Sequence, residues 1–344
     1  MRLPSELPIV QAPMAGGPST PALTAAVSEA GGYGFVAGGY LAPKDLDEAI
    51  AATRQLTAKP FGVNLFVPSS PGEPREIATY ATLLGPEAAR LGVALGEPRW
   101  DDDGYGAKLE IVETARVHLV SFTFGCPTSE SVARLHTADV RVAVTVTSGL
   151  EARLADDVGA DLLVAQGTEA GGHQGSFADL APNTLPLLSL LAQLADTTAL
   201  PVIGSGGLMN GRDVAAVLAA GAIAAQLGTA FLCAPEAGTS AVYRRALLDA
   251  PYSDTIITRA FSGRYARGLA NRFALEHDRQ APQAYPEVHH LTRPLRATAT
   301  RAGDGDVPNL WAGTGWRQVT AEPAADIVQR IAAELSIFGS GPQD

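Results

Sequence analysis

Short apolar runs alternate with longer amphipathic segments along most of this chain of 344 residues. Runs with the length of strands buried on both faces cover about residues 7–12, 33–37, 60–66, 117–122, 140–146, 162–166, 201–205 and 223–227. Helices are predicted at about residues 18–31, 43–56, 106–116, 184–196 and 210–220, and another begins after the Ser-x-x-Glu capping box at Ser148. Eight strands alternating with helices favour an α/β fold of the (β/α)8 TIM barrel type, since closing the sheet removes its edges. An open, doubly wound sheet is the alternative.

Two segments interrupt this alternation and are predicted to be insertions. Residues 68–103 contain five prolines and an acidic run at 101–103, which do not fit another barrel unit. Residues 236–305 hold one helical piece, at about 239–248, followed by a polar, arginine-rich passage. We expect a barrel built from residues 1–67, 104–235 and 306–344, which ends in an amphipathic helix at about 322–337. The insertions at 68–103 and 236–305 would form a smaller lid or substrate domain; a solvated surface insertion is the alternative.

Composition and charge narrow the class of protein. Hydrophobic residues make up 46% and charged residues 18% of the chain, which is typical of a globular protein. The formal net charge of −11 argues against nucleic acid as a partner, because nucleic acid requires a basic face. Cys126 and Cys233 have no second pair of ligands at the spacing of a zinc site, so no metal is predicted. No signal peptide or membrane-spanning run is evident, so we expect a cytoplasmic protein.

The most distinctive stretch is the loop after the sixth predicted strand, in residues 160–176 (ADLLVAQGTEAGGHQGS). It brings Gln166, Glu169 and His173 into a glycine-rich segment, where backbone N–H groups can approach a ligand closely. Because the pKa of free histidine lies near neutrality, His173 is the candidate acid–base residue. Glu169 could orient it, although a loop glutamate is more often solvated. The other five histidines are interpreted as structural.

Polar and glycine residues also follow the other predicted strands, where the active sites of (β/α)8 barrels lie. Residues 206–207 follow the seventh strand and residues 228–229 follow the eighth. Loops at these two strands commonly bind phosphate through backbone N–H groups. No GxGxxG fingerprint opens the first helix, which disfavours a dinucleotide. A mononucleotide such as FMN fits better, with its ring near Met14, Asn64 and Gln166.

Several of these segments resemble the class I nitronate monooxygenases, formerly called 2-nitropropane dioxygenases. The matching segments are PIVQAPMAGG (8–17), FGVNLF (61–66), VSFTFG (120–125), AQGTEAGGHQG (165–175), QLGTAFL (226–232), SGR (262–264) and LWAG (310–313). The likeness spans nearly the whole chain, and EAGGH is its most specific part. The resemblance implies an FMN-binding (β/α)8 barrel with a smaller lid domain.

The resemblance also implies which residues meet the flavin and the substrate. The family's flavin contacts carry over onto Ala12, Pro13, Met14, Asn64, Gln166, Gly171, Gly206, Gly207, Gln226, Leu227, Gly228 and Thr229. Its active-site histidine carries over onto His173. Some members have a histidine in the fourth-strand segment where this chain has Thr123, which leaves the fine substrate preference open.

The implied reaction converts an alkyl nitronate, such as propionate 3-nitronate, and O2 to a carbonyl compound and nitrite. His173 could be a cation that holds the nitro oxygens or a neutral base that deprotonates a nitroalkane, and the sequence leaves both open. One alternative is an FMN-dependent enoyl-thioester reductase, which needs a nicotinamide donor, and another is a non-catalytic flavin-binding or phosphate-binding module. The expected partners are the anionic nitronate and O2, without nucleic acid or membrane, and a homodimer is the candidate assembly.

Overall fold

The computed structural model describes residues 3–249 and 252–339. Within them the chain forms eleven strands and thirteen α-helices. The strands are β1 (Ile9–Gln11), β2 (Phe35–Ala37), β3 (Gly62–Phe66), β4 (Leu119–Thr123), β5 (Arg141–Val146), β6 (Leu162–Gln166), β7 (Gly172–His173), β8 (Val202–Ser205), β9 (Ala224–Leu227), β10 (Thr255–Thr258) and β11 (Ala266–Leu269). The helices are α1 (Pro21–Glu29), α2 (Pro43–Leu56), α3 (Pro74–Leu83), α4 (Gly85–Leu91), α5 (Tyr105–Ala115), α6 (Ser129–Thr137), α7 (Gly149–Asp157), α8 (Leu187–Ala195), α9 (Gly211–Ala219), α10 (Ala241–Leu248), α11 (Arg272–His277), α12 (Glu287–Ala302) and α13 (Ala324–Gly339). Residues 1–2 and 340–344 of the predicted barrel, and 250–251 of the second insertion, lie outside the described residues.

Eight of these strands form a parallel barrel in the order β1-β9-β8-β6-β5-β4-β3-β2. The ring closes where Val10 of β1 pairs in parallel with Tyr33, just before β2. Two backbone hydrogen bonds hold this closure, from the Tyr33 N–H to the Ile9 carbonyl and from the Gln11 N–H to the Tyr33 carbonyl, each 2.9 Å long. The predicted (β/α)8 barrel is therefore confirmed, and the open sheet is excluded.

The burial of the barrel strands explains why the sequence marks them as continuous apolar runs. Side chains from strands around the whole ring, among them Val10, Phe35, Leu119, Val164 and Ile203, form one buried cluster that fills the barrel. A second cluster lies between the strands and the outer helices. Strands of a parallel barrel are thus apolar on both faces.

Helix α7 begins at the predicted capping box, but only half of the box forms. The Ser148 hydroxyl accepts a hydrogen bond from the Glu151 N–H at 3.3 Å. The Glu151 carboxylate does not return this bond; it accepts from the Thr147 N–H at 2.6 Å and from the Phe177 N–H at 2.8 Å. Through these hydrogen bonds, Glu151 connects the end of the loop after β6 to the end of β5.

The two insertions pack together into a smaller domain, as the predicted fold class requires. Helices α3 and α4 of the first insertion contact α12 of the second. Tyr80 and Leu84 share a buried hydrophobic cluster with Phe273 and Leu291. β10 and β11 form an antiparallel sheet with β7, which belongs to the loop after β6. The residue boundaries between the barrel and this domain stay a prediction.

The structure contains elements that the sequence analysis does not predict. Helix α6 lies between β4 and β5, and only Val132 and Leu135 of its hydrophobic residues are buried, so its apolar pattern is short. Helix α12 contains Pro294 and several arginines, which conceal its helical period. Strand β7 has two residues, too few to produce an alternating pattern.

Gly34 generates a prediction about stability. It lies where α1 crosses the start of β2, and a Cβ at this position would overlap the carbonyl oxygen of Thr24. We expect Gly34→Ala to lower the free energy of unfolding by about 1–3 kcal/mol, the usual cost of overpacking. Gly106, on α5, has open space around its Cα, so Gly106→Ala should be neutral or stabilise by about 0.5–1 kcal/mol. Urea unfolding of both variants tests this, and equal effects would contradict it.

Candidate active site

A cavity of about 990 Å³ opens at the carboxyl ends of the barrel strands. Each of the eight barrel strands, or the turn directly after it, contributes a residue to the wall: Met14, Tyr40, Asn64, Thr123, Thr145, Gln166, Ser205 and Gln226. The smaller domain and the segment before α13 close the other side, through Ser262, Tyr285, His289, Arg296 and Trp311. The cavity therefore lies between the barrel rim and the inserted domain.

All the site residues expected from the sequence line this cavity, with the exception of Leu227. Those that do are Ala12, Pro13, Met14, Asn64, Gln166, Gly171, His173, Gly206, Gly207, Gln226, Gly228 and Thr229. Leu227 packs in the cluster between strands and helices, because neighbouring residues of a strand point to opposite faces and Gln226 takes the inward one. Only its backbone approaches the site, where its carbonyl accepts from the Ala12 N–H at 2.8 Å.

The glycine turns after β8 and β9 offer backbone donors to the cavity. Gly206 and Gly207 have φ angles of +140° and +70°, which glycine adopts readily. A Cβ on Gly207 would come within 2.8 Å of the Thr314 hydroxyl. In the part of the chain that the structure describes, the N–H groups of Gly207 and Gly228 make no backbone hydrogen bond, and the buried hydroxyl of Thr239 in the same cavity has no partner. This set of donors fits a phosphate group.

Asn64 and Gln166 are held by hydrogen bonds at the rim of the barrel. The Asn64 amide donates to Ser121 Oγ and to Thr123 Oγ1, both at 3.0 Å. The Gln166 amide donates to the His173 carbonyl at 3.0 Å, and its oxygen accepts from the Gly175 N–H at 2.6 Å. Gln166 therefore shapes the glycine-rich loop around His173.

His173 lies on β7, deep in the protein, and its ring faces the cavity. Its Nε2 atom is 2.8 Å from Ser262 Oγ. The rings of Phe124, Tyr285 and Trp311 surround it, with centroids 5.8, 5.6 and 5.3 Å away. Aromatic rings therefore flank this imidazole on three sides, and its remaining surface opens to the cavity.

This environment keeps the imidazole of His173 neutral. Burial, together with the positive charges of Arg264 and Arg296, lowers the pKa of His173 to about 3. The Ser262 hydroxyl donates to the Arg264 carbonyl at 3.2 Å, so its oxygen is free to accept from His173 Nε2–H. That arrangement is compatible with the tautomer that carries its proton on Nε2, in which Nδ1 is the basic nitrogen.

Glu169 does not orient His173. Its two carboxylate oxygens accept from the N–H of Leu187, the first residue of α8, at 3.0 and 3.2 Å. Helix α8 has no side-chain cap from Pro186, and a carboxylate at a helix N-terminus is stabilising. Glu169 therefore has a structural role, and Ser262 is the partner of His173.

The sequence analysis missed the cavity residues that the inserted domain supplies, and it interpreted His289 as structural. His289 stacks on Tyr40, with ring centroids 4.3 Å apart and planes 6° apart. His289 and Arg296 line the cavity seven residues apart on one face of α12, and Tyr285 lines it two residues before that helix begins. That spacing is the signal that could have identified them, had the helix been recognised.

Comparison with known proteins assigns the family. The family model described as nitronate monooxygenase matches residues 3–334. The chain belongs to the nitronate monooxygenase family. It is 38% identical to a Staphylococcus aureus (strain Newman) protein named "Probable nitronate monooxygenase", over 96% of this chain and 95% of that protein. We conclude that it is a flavin-dependent oxidoreductase.

Solved structures show the same relationship. A nitroalkane oxidase from Streptomyces ansochromogenes superposes with a TM-score of 0.96 and 49% identity, over 98% of each chain. FabK from Thermotoga maritima superposes with a TM-score of 0.76 and 27% identity, over 97% of this chain and 94% of that one. The nitroalkane oxidase therefore shares nearly the whole backbone of this chain.

Two further features are absent from the described residues. No helix there is long and apolar enough to cross a bilayer. No group of three or more His, Cys, Asp or Glu side chains in the same residues could hold a metal ion.

The low pKa of His173 generates a prediction about stability. The unfolded chain binds a proton on this imidazole below about pH 6.5, whereas the folded chain binds one only near pH 3, so stability falls as the pH drops between these values. Replacing His173 by Asn should therefore reduce the loss in free energy of unfolding between pH 7 and pH 5 by on the order of 1 kcal/mol. Urea unfolding at both pH values measures it. An unchanged loss would mean that the folded imidazole titrates as it does in the unfolded chain.

Proposed function

We propose that this protein is an FMN-dependent nitronate monooxygenase, which oxidises alkyl nitronates such as propionate 3-nitronate with O2 to a carbonyl compound and nitrite. The observation that carries the proposal is the neutral His173, which faces the same cavity as the glycine turns after β8 and β9. Membership of the nitronate monooxygenase family supports it. A cytoplasmic location and a homodimer belong to the same proposal.

FMN would be held by the rim of the barrel. Its phosphate would bind the backbone donors of residues 206–207 and 228–229, and its ring would lie near Met14, Asn64 and Gln166. When bound, the flavin supplies an acceptor for an electron from the substrate, which is then passed to O2.

His173 would act on the substrate as a base. With the proton held on Nε2 by Ser262, its Nδ1 atom can take a proton from the carbon next to a nitro group. This step would allow the protein to use neutral nitroalkanes as substrates, as the similarity to the nitroalkane oxidase also suggests. The nitronate anion that forms beside the imidazole would raise its pKa and so favour this proton transfer.

The surroundings of His173 favour an anion in a dry site. The guanidinium of Arg264 lies 4.0 Å from the centre of the Phe124 ring, on the side of the cavity that holds His173. A buried positive charge stabilises a nitronate that a neutral imidazole cannot neutralise. The rings of Phe124, Tyr285 and Trp311 exclude water, which strengthens this attraction.

The proposed activity is tested by oxygen uptake and nitrite release with a panel of nitronates and the parent nitroalkanes. We expect the purified or FMN-reconstituted protein to be yellow and to release nitrite as it consumes O2. Anaerobic mixing with NADH or NADPH examines the alternative, an FMN-dependent enoyl-thioester reductase. Rapid loss of flavin colour with either nucleotide, without nitrite release from any nitronate, would favour the reductase.

Replacement of His173 tests its role in the reaction. His173→Asn should leave FMN bound but lower turnover of nitroalkanes by about a hundredfold or more, the usual scale for a general base. His136→Asn is the matched control, because His136 is half exposed on α6 and lies outside the cavity. Its turnover should stay within about twofold of the parent. Full activity in the His173 variant would remove this residue from the mechanism.

A further inference from the structure

Arg296 is a buried cation whose hydrogen bonds all go to uncharged acceptors. Its Nε donates to Thr292 Oγ1 at 3.0 Å and its Nη1 to Asn309 Oδ1 at 2.7 Å. Its Nη2 donates to the His289 carbonyl at 2.9 Å and lies 3.3 Å from His289 Nδ1. Among the described residues no carboxylate forms an ion pair with it. Buried arginines are ordinarily paired with acids. The guanidinium has five N–H donors, so one on Nη1 is left for a ligand.

Arg296 lies in the wall of the substrate cavity. Arg296 sits on the same helix face as His289, which stacks on Tyr40 across the cavity. Although Arg296 lies deep in the protein, part of its surface remains accessible, as expected for a side chain that faces a void. Its charge reaches His173, where it contributes to the low pKa of that imidazole.

Three of the described carboxylates line the same cavity, and two of them are already paired with other groups. Asp101 Oδ2 is 2.8 Å from His290 Nε2. Asp103 Oδ2 is 2.7 Å from the buried Lys108 Nζ. The third, Asp102, is exposed and accepts from the Gly104 N–H at 3.0 Å. The positive charge of Arg296 is therefore left for a ligand to balance.

We propose that Arg296 determines substrate specificity by binding a second anionic group of the substrate, a carboxylate in the same molecule as the nitronate. The inference rests on the proposed function, since it assumes that a nitronate binds at His173. A carboxylate bound at Arg296 would hold the chain of the substrate across the cavity, between α12 and the flavin side of the barrel. Nitronates without a carboxylate would lack this attachment and bind more weakly.

Two substrates of similar size separate this role from a structural one. Propionate 3-nitronate carries a carboxylate, and butyl 1-nitronate replaces it with carbon. Arg296→Gln keeps hydrogen-bond donors for Thr292 and Asn309 but removes the charge, and Arg296→Lys keeps the charge. Arg301→Gln is the matched control, because Arg301 lies on the same helix and is exposed. Among the described residues, its side chain donates a hydrogen bond to Thr298 alone.

We expect Arg296→Gln to lower kcat/KM for propionate 3-nitronate by about 10- to 100-fold, mainly through KM, the scale of a lost hydrogen bond between charged groups. For butyl 1-nitronate the change should stay below about threefold, and Arg296→Lys should restore part of the loss. Arg301→Gln should change neither substrate. A merely structural role predicts equal losses on both nitronates, and that result would overturn the proposal.

A binding measurement keeps the test independent of turnover and of any variant. The intact holoenzyme, followed anaerobically through tryptophan fluorescence, should bind 3-nitropropionate at least about tenfold more tightly than 1-nitrobutane. Equal affinities would overturn the proposal. Absence of turnover with both nitronates would instead refute the proposed function, while the two affinities would still decide whether Arg296 binds a carboxylate.

Discussion

The antiparallel pairing of β7 with β11 is the contact on which the geometry of the site depends. His173 pairs with Ala266 and Gly172 with Arg267, which joins the loop after β6 to the second insertion. The N–H of Gln174 adds a hydrogen bond to the Tyr265 carbonyl at 2.8 Å. Two paired backbones fix the direction of the His173 side chain more tightly than a free loop would. Ser262 and Arg264 precede β11 directly, so the same pairing brings the hydrogen-bond partner and the nearby charge to the imidazole.

In this arrangement the base and the positive charge are provided by different residues. Enclosure by aromatic rings removes water from His173, and desolvation disfavours its charged form. Arginine resists the same effect because its intrinsic pKa is far higher, so Arg296 remains a cation although burial lowers its pKa to about 10. Of the two roles that the sequence leaves open for His173, the structure therefore favours the neutral base, and buried guanidinium groups supply the charge.

The sequence could predict the barrel because strands that are buried on both faces consist mostly of apolar residues. Strands such as β3 and β6 are covered on both faces, so their residues are continuously apolar, and parallel strands carry the polar residues at their ends to one rim. Helix caps at Ser148 and Asn210 are equally local signals. Leu227 is expected to contact the flavin because it lies in a segment that resembles the family, but its side chain points away from the cavity.

The rest of the site depends on contacts between distant parts of the chain. The partner of His173 is Ser262, 89 positions later, and no local pattern records that pairing. Glu169 is close in sequence to His173 yet caps α8, because a helix N-terminus next to it lacks another acceptor. The pKa of His173 follows from how completely three rings from separate segments enclose it, which becomes known only with the tertiary structure.

The walls of the cavity come from two different parts of the fold. The donors suited to a phosphate, at Gly207 and Gly228, belong to barrel turns, and at Gly207 tight packing leaves little room for a side chain. Tyr285, His289 and Arg296 belong to the inserted domain, which contacts the rest of the chain through side chains, the short β7–β11 pairing and backbone hydrogen bonds between β11 and residues 310–312. Substitutions on that face of α12 can alter the shape and charge of the cavity without disturbing the strand ladder. The proposed cofactor site thus belongs to the barrel turns, and the proposed carboxylate contact belongs to the inserted domain.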